Sequence, residues 1–178
     1  PVTFLFIGRL LKEKGINDFI DAAKLIKKKY PNTRFLVVGG LDDNPTSYSI
    51  SDFQELHESG LIKFVGRVSD VKPYIKQCSV FVLPSYYGEG TPRTGLEAMA
   101  MGRPLIMTDT VGCRETVKDA INGYLVPIKD PKVLANKMVE FIKNPSLIIK
   151  MGQESRKFAE EVYDVHKVNK EIHQILGL

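Results

Sequence analysis

The sequence predicts an α/β protein built on one doubly wound parallel sheet. Short apolar runs alternate along the chain with longer segments whose apolar residues recur at helical spacing. The apolar runs are continuous, which is typical of strands that helices cover on both faces. Strands that alternate with helices in this way form parallel sheets with right-handed crossovers.

The strands are predicted from the apolar runs. The first run, VTFLFIG, begins at residue 2, and the run at 79–83 precedes a segment rich in proline and glycine that cannot continue in the sheet. The predicted strands span residues 2–8, 35–39, 62–65, 79–83, 104–107 and 123–126.

The helices are predicted from apolar spacing and from capping residues. Ser51 and Gln54 form a candidate capping box, Gly102 ends a helix, and Asp130 with Pro131 supplies a cap and a first helical position. Loops rich in charged or polar residues are predicted at 9–15 and 40–50. The predicted helices span residues 16–29, a short segment from 51, 70–77, 92–101, 112–118, 131–143, 145–151, 153–162 and 165–176.

The composition is that of an ordinary globular domain. The 178 residues suit one domain, with 43% hydrophobic and 26% charged residues, and the net charge of +4 is too modest and scattered to predict nucleic-acid binding. Cys78 and Cys113 lie far apart, which predicts reduced thiols in a cytoplasmic protein. No stretch reaches the roughly 18 apolar residues of a transmembrane helix, and no signal-peptide pattern precedes the first strand. We therefore expect a soluble, truncated chain.

The stretch at 84–101, PSYYGEGTPRTGLEAMAM, contains two glutamates separated by seven residues, Glu89 and Glu97. Glu97 lies more than a turn inside an otherwise uncharged helical segment, where compensation of the helix dipole is a weak reason for an acidic residue. It is a candidate for binding a hydroxyl group or a cation. The alternative is that Glu97 emerges at the solvent-exposed edge of an amphipathic helix.

The helix in this stretch is predicted to begin with an open amino terminus. Thr91 can cap it and Pro92 suits its first turn, which leaves the backbone N–H groups of Arg93 and Thr94 pointing outward. Helix starts of this kind attract anions, and phosphate in particular.

Several loops share one edge of the predicted sheet because each of them follows a strand. Ligands of doubly wound sheets bind at this carboxyl edge. Arg9 and Lys14 lie in the first of these loops, and the sequence has no Asp-x-Asp pair for a metal that bridges a diphosphate. Each cation alone can be an ordinary solvated side chain, but together with the helix start they favour a diphosphate. The loops are residues 9–15, 39–43, 66–67 and 86–94.

Other ligand classes have less support. The first strand is followed by GRLLKEKG rather than Gly-x-Gly-x-x-Gly, so an NAD enzyme lacks its main signature, and the sequence contains no P-loop. His57, His166 and His173 are predicted on helices remote from the carboxyl edge, without zinc-ligand spacing. We expect no metal site and no cofactor.

Four motifs occur in the order and spacing of a known family and span nearly the whole chain. They are Gly8-Arg9-(x)4-Lys14-Gly15, Glu89-(x)7-Glu97-Ala98-Met99-Ala100-x-Gly102-x-Pro104, Gly112-Cys113-Arg114-Glu115 and Asn122-Gly123-x-Leu125-Val126-Pro127. The chain resembles the carboxyl-terminal domain of a retaining glycosyltransferase of family 4, the group 1 transferases with the GT-B fold. The segment Glu-Gly-x-Pro-Arg at 89–93 is similar to the subgroup that builds capsular and other surface polysaccharides.

The resemblance implies that residues 1–178 form one Rossmann-like domain, half of a GT-B fold, which binds a nucleotide diphospho-sugar without metal. The donor in this family is most often a UDP-sugar. The implied catalytic residues are Glu89, Arg9 and Lys14, and the implied substrate-binding residues are Gly8, Arg9, Lys14, Val65, Gly66, Arg67, Glu89, Gly90, Thr91, Arg93, Thr94 and Glu97.

Each part of the donor is assigned a partner by the resemblance. The two cations and the amides of the helix start would neutralise the diphosphate, Glu97 would bind the ribose hydroxyls, and Glu89 would face the donor sugar. The loop at 65–67 would lie against the base. The chain departs from the family at Thr91-Pro92, where Phe-Gly is common, and Pro92 has no N–H group to donate to the sugar.

The resemblance further implies that the acceptor-binding amino-terminal domain is absent from this chain. The acceptor, a polysaccharide or a lipid-linked glycan, would bind to that missing half, so we expect the isolated domain to be inactive. The full-length protein is compatible with peripheral association with the inner face of the membrane. The alternative is a standalone sugar-nucleotide-binding module without transferase activity.

Overall fold

The computed structural model describes residues 1–40, 49–88 and 90–176, and in them lies a six-stranded sheet. The strands are β1 Thr3–Ile7, β2 Arg34–Val38, β3 Lys63–Gly66, β4 Val80–Leu83, β5 Leu105–Thr108 and β6 Gly123–Val126. Their order is β3-β2-β1-β4-β5-β6, and every pairing is parallel. The predicted doubly wound sheet is confirmed, and the strand order reverses between β1 and β4.

Helices cover both faces of this sheet. They are α1 Ile16–Lys27, α2 Ile50–Glu58, α3 Lys72–Gln77, α4 Arg93–Ala100, α5 Val111–Arg114, α6 Pro131–Lys143, α7 Ser146–Val162 and α8 Val165–Leu176. Helix α1 packs against α6, and α4 packs against α7. Helix α1 connects β1 to β2, towards the β3 edge of the sheet, and α4 connects β4 to β5, towards the β6 edge. Because both crossovers are right-handed but run in opposite directions across the sheet, the two helices lie on opposite faces.

The first βα unit is held by a cluster of phenylalanines. Phe4, Phe6, Phe19 and Phe35 are almost completely buried, and neighbouring ring centroids lie 5.6 to 5.8 Å apart. Full burial of such a side chain contributes roughly 1.5 to 3 kcal/mol relative to exposure in water. The cluster joins β1, α1 and β2, and it therefore fixes the base of the loop that carries the two predicted phosphate-binding cations.

The predicted strands agree with the structure to within one residue at each end, whereas the capping box was wrong. Ser49 precedes α2, and its hydroxyl accepts a hydrogen bond from the N–H of Asp52 at 3.3 Å. The N–H of Ser49 in turn donates to Asp52 Oδ2 at 3.1 Å. The predicted capping box of Ser51 and Gln54 lies two residues after the observed one, because both serines are followed three residues later by a side chain that can complete a capping box.

The two helices predicted at 145–151 and 153–162 form one continuous helix, α7. Gly152 lies inside this helix, facing the turn that follows α4. A Cβ atom at Gly152 would lie 2.3 Å from the carbonyl oxygen of Gly102. The glycine therefore permits close packing of α7 on this turn and does not end a helix.

The helical turn predicted at 112–118 ends earlier, at the end of α5. Beyond it the chain is organised by Asn122, which is completely buried. Its Oδ1 accepts from the N–H of Lys118 at 2.7 Å, and its Nδ2 donates to the carbonyl of Thr116 at 3.0 Å. These side-chain bonds take the place of helical ones.

The Asn122-Gly123 motif is accounted for by packing. A Cβ atom at Gly123 would lie 1.9 Å from the carbonyl oxygen of Leu105, so only glycine permits this approach of β6 to β5. Within the described ranges, none of the helices is long and apolar enough to cross a membrane.

Candidate functional site

The loop that follows β1 is tied to the loop that follows β4 through one backbone carbonyl. The carbonyl oxygen of Glu13 accepts from the N–H groups of Tyr86 and Tyr87, both at 2.9 Å, and from the Ser85 hydroxyl at 3.2 Å. A short 3-10 turn, Lys12–Lys14, shapes this part of the first loop, where the sequence predicted an irregular loop. The two loops therefore meet at the switch point of the sheet, where ligands of such folds bind.

A glycine makes this contact possible. Gly15 has φ 76°, in the left-handed region, and a Cβ atom there would lie 1.9 Å from the carbonyl oxygen of Pro84. The same residue ends the 3-10 turn and begins α1. Any side chain at this position would push the two loops apart.

The first loop brings Arg9 and Lys14 to the same aromatic ring. The Nζ of Lys14 lies 4.7 Å from the ring centroid of Tyr87, and the Cζ of Arg9 lies 5.9 Å from it. Arg9 is exposed and Lys14 is partly buried. The structure thus gathers the two predicted cations at the carboxyl edge, as a diphosphate site requires.

The start of α4 lies at the end of the same central loop, but Thr91 does not cap it. The cap is Pro92, with an extended backbone and no side-chain hydrogen bond, and its carbonyl accepts from the N–H groups of Gly95 and Leu96. The first helical bonds therefore begin at Gly95, and the N–H groups of Arg93 and Thr94 precede them. The cap prediction was wrong by one residue because Thr91 precedes a proline and continues the extended loop. The two open amides are at the predicted positions.

Glu97 lies about one turn further along α4 and is partly exposed. Its Oε1 lies 3.2 Å from Nε of Arg93, one helical turn earlier, and the exposed fractions of the two side chains are 28% and 90%. An ion pair with so exposed a partner is weak, so it is no obstacle to a ligand that binds Glu97. Glu97 is one of the residues that line a groove of about 340 Å³ between α4 and α7. The proposed contact with a ribose stays a prediction.

The predicted base-facing residues lie at the end of β3. Gly66 has φ 83°, and its carbonyl accepts from the N–H of Gly39 at 2.9 Å, which joins the ends of β2 and β3. The side chain of Arg67 lies over Gly40, and Val65 is partly buried. Only glycine fits at position 39, because a Cβ atom there would lie 1.8 Å from the carbonyl oxygen of Gly8. The residues that directly follow β1 and β2 and the end of β3 thus lie side by side along this edge.

Two parts of the predicted site lie outside the described residues. They are Glu89 and the segment 41–48, which includes part of the predicted loop at 39–43. Gly90 and Thr91 are exposed between Glu89 and α4.

Sequence reasoning missed the two tyrosines of the central loop. Tyr86 lies 4.7 Å from Nζ of Lys129, and burial raises its pKa, with the carboxylates of Glu13 and Asp18 acting in the same direction. Tyr87 contacts the two cations of the first loop. Two adjacent tyrosines in a loop that follows a central strand were the only hint in the sequence that these rings belong to the site. Their cationic partners were not predictable, because they depend on how the loops after β1, β4 and β6 pack together.

The remaining candidates for reactive or metal-binding groups lie elsewhere. Cys78 and Cys113 are buried, and burial raises the pKa of the Cys78 thiol to about 12. His57 is an exposed residue on α2 whose Nδ1 accepts from the N–H of Phe64 at 3.3 Å. Among residues 1–40, 49–88 and 90–176, no group of three histidine, cysteine or carboxylate side chains could hold a metal ion.

The sequence model of the family described as glycosyl transferases group 1 matches residues 1–158. The chain belongs to this family. The resemblance found in the four motifs is confirmed. The match ends within α7 and leaves α8 outside it.

Two curated relatives are bacterial glycosyltransferases. The chain is 34% identical over 149 residues to the N,N'-diacetylbacillosaminyl-diphospho-undecaprenol alpha-1,3-N-acetylgalactosaminyltransferase of Campylobacter jejuni, with 84% of this chain and 38% of the relative covered. It is 30% identical over 170 residues to the capsular polysaccharide biosynthesis glycosyltransferase CapM of Staphylococcus aureus, and the match covers 96% of this chain and 44% of CapM. The chain therefore spans less than half the length of these relatives.

The fold also matches a solved structure. HepE of Anabaena, solved in complex with UDP, superposes with a TM-score of 0.88 over 98% of this chain and 48% of the HepE chain, at 24% identity. With a sequence identity of 24%, this similarity shows that the two chains share a fold, which is the Rossmann-like half of a GT-B protein.

Replacement of Gly15 by alanine is expected to reduce the free energy of unfolding more than replacement of Gly60. Both glycines have left-handed backbones, with φ 76° and 72°, so each alanine introduces strain of roughly 1 to 2 kcal/mol. Only at Gly15 does the new Cβ meet another backbone, which adds about 1 to 3 kcal/mol. Urea unfolding of Gly15→Ala and Gly60→Ala measures the difference. Equal losses would show that the contact with Pro84 does not hold the two loops together.

Proposed function

We propose that the chain is the donor-binding domain of a retaining glycosyltransferase that transfers a sugar from a nucleotide diphospho-sugar. The observation that carries this proposal is the convergence of Arg9 and Lys14 on one ring at the carboxyl edge, with the open start of α4 at the end of the same loop. Family membership supplies the reaction class.

The chemistry of the transfer accounts for this arrangement. Cleavage of the bond between the sugar and the diphosphate develops negative charge on the leaving diphosphate and positive charge at the sugar carbon. Fixed cations and helix-start amides stabilise the leaving group most when its charge is greatest. Glu89 is proposed to accept hydrogen bonds from the donor sugar and to favour its cationic carbon.

The identities of donor and acceptor are proposed from the relatives. UDP is the proposed nucleotide because HepE was solved with UDP. A polysaccharide or lipid-linked glycan is the proposed acceptor, since CapM is a capsular polysaccharide biosynthesis enzyme and the Campylobacter relative is named for a diphospho-undecaprenol acceptor. The acceptor would bind to a second domain outside this chain.

The experiment that tests the proposal is calorimetric titration of the chain with UDP, GDP and ADP, with and without EDTA. The proposed site neutralises the diphosphate with side chains and amides, so we expect binding of at least one nucleotide to survive EDTA unchanged. Affinity that appears only after addition of a divalent ion would show that this account of the diphosphate site is wrong.

Arg9→Ala and Lys14→Ala are each expected to weaken binding of the nucleoside diphosphate by roughly 1 to 3 kcal/mol, because each removes a charge-assisted hydrogen bond. Thermal unfolding should change little. The control is Lys28→Ala, which removes the same charge from an exposed position at the far end of α1, roughly 18 Å from the site. If all three variants bound the nucleotide as tightly as the parent chain, Arg9 and Lys14 would be ordinary surface cations.

The two glutamates are expected to differ in which ligand they affect. If Glu97 binds the ribose, Glu97→Gln should weaken UDP and the UDP-sugar alike, because both ligands carry the same ribose. If Glu89 faces the sugar, Glu89→Gln should leave the affinity for UDP intact and weaken only the sugar nucleotide. Parallel calorimetric titrations of both variants measure the contrast. An equal loss for both ligands in Glu89→Gln would remove the sugar-facing assignment and leave the diphosphate site unaffected.

A further inference from the structure

We propose that Tyr87 is a positioning residue for the diphosphate, whose ring holds Arg9 and Lys14 in the orientation that a bound diphosphate needs. This inference rests on the proposed function and adds a residue that the family motifs do not include. The ring does not have to touch the ligand itself, because it acts through the two cations.

The geometry places both cations within reach of the same ring. Lys14 Nζ lies 4.7 Å and Arg9 Cζ lies 5.9 Å from the ring centroid of Tyr87, inside the distance of about 6 Å at which a cation and an aromatic face attract each other. The tyrosine is 43% exposed, so the contacts lie at the surface, where a ligand can reach the same cations.

A shared aromatic contact favours the two cations lying side by side, because they repel each other and are flexible. Arg9 and Lys14 carry like charges on long side chains, and each loses rotamer freedom when it is held in one position. The ring offers negative charge density on its face, which offsets part of the repulsion before a diphosphate arrives.

The backbone fixes the ring relative to the cations. The N–H of Tyr87 donates to the carbonyl of Glu13 at 2.9 Å, and that carbonyl belongs to the peptide bond that leads into Lys14. The Ser85 hydroxyl accepts from the same N–H at 3.3 Å. One hydrogen bond therefore links the backbone that carries the ring to the peptide bond of Lys14.

The neighbouring tyrosine provides a matched control. Tyr86 binds the same Glu13 carbonyl through its N–H, yet its ring lies 4.7 Å from Nζ of Lys129, in the loop between β6 and α6. A change of its ring therefore removes a contact of the same type from the same loop without removing the partner of Arg9 and Lys14.

The test compares Tyr87→Leu, Tyr87→Phe and Tyr86→Leu in titrations with UDP and with uridine, followed by calorimetry and by NMR. Tyr87→Leu should weaken UDP binding about fivefold, the size expected when a pair of exposed cation–ring contacts is lost, and should leave uridine binding within about twofold. Tyr87→Phe keeps the aromatic face and should bind UDP like the parent chain, as should Tyr86→Leu. A purely structural role would weaken uridine and UDP together.

A readout without nucleotide separates this inference from the proposed function. In the parent chain and in Tyr87→Phe the side-chain methylene protons of Lys14 should show upfield ring-current shifts, which Tyr87→Leu should abolish. If the parent chain binds UDP and Tyr87→Leu binds it equally well, the inference is overturned and the proposed function stands. If the parent chain binds no nucleoside diphosphate, the proposed function fails and this inference fails with it.

Discussion

The site depends on the close approach of Gly15 to Pro84. This contact joins two loops that are distant in sequence, one after β1 and one after β4, and it is possible only because Gly15 has no side chain. With the backbones in contact, the carbonyl of Glu13 accepts hydrogen bonds from three donors of the central loop. Lys14 follows Glu13 directly and Arg9 lies earlier in the same loop, so this contact also brings both positive charges to the central loop. The conformation of the two loops therefore places the positive charge of Arg9 and Lys14 at the switch point of the sheet.

Side-chain cations and the helix start contribute unequally to such a site. A hydrogen bond to a charged phosphate contributes about 1.5 to 3 kcal/mol, whether a cation or a backbone N–H donates it, and the helix dipole adds roughly 0.3 to 1 kcal/mol at an exposed position. Only the two cations supply net positive charge, which offsets the charge of a diphosphate. The open amides of Arg93 and Thr94 give the site direction, because their N–H groups belong to the backbone of α4.

The strands were predictable from sequence to within one residue. Most residues of β1, β2, β4 and β5 are buried, and these strands read as apolar runs because helices cover both faces of the sheet. Features set by contacts between distant segments were not predictable. Gly152 lies inside a helix because it faces Gly102, and the ring of Tyr87 meets the two cations because Gly15 and Pro84 set the register of two loops. The cap of α4 was missed by one residue for a local reason, since a threonine before a proline favours the extended backbone.

The open amino terminus of α4 can be rigid without a side-chain cap because the rest of the helix is held elsewhere. Gly95 packs against Met107, so that a Cβ there would lie 2.5 Å from Cε of that side chain, and this anchors the helix to β5. At the other end Arg156 of α7 donates to the carbonyl of Ala100, and Gly152 contacts the turn at Gly102. A helix fixed by packing along its length presents its first amides in one orientation. An anion that binds there displaces no capping side chain, and little order has to be created when it arrives.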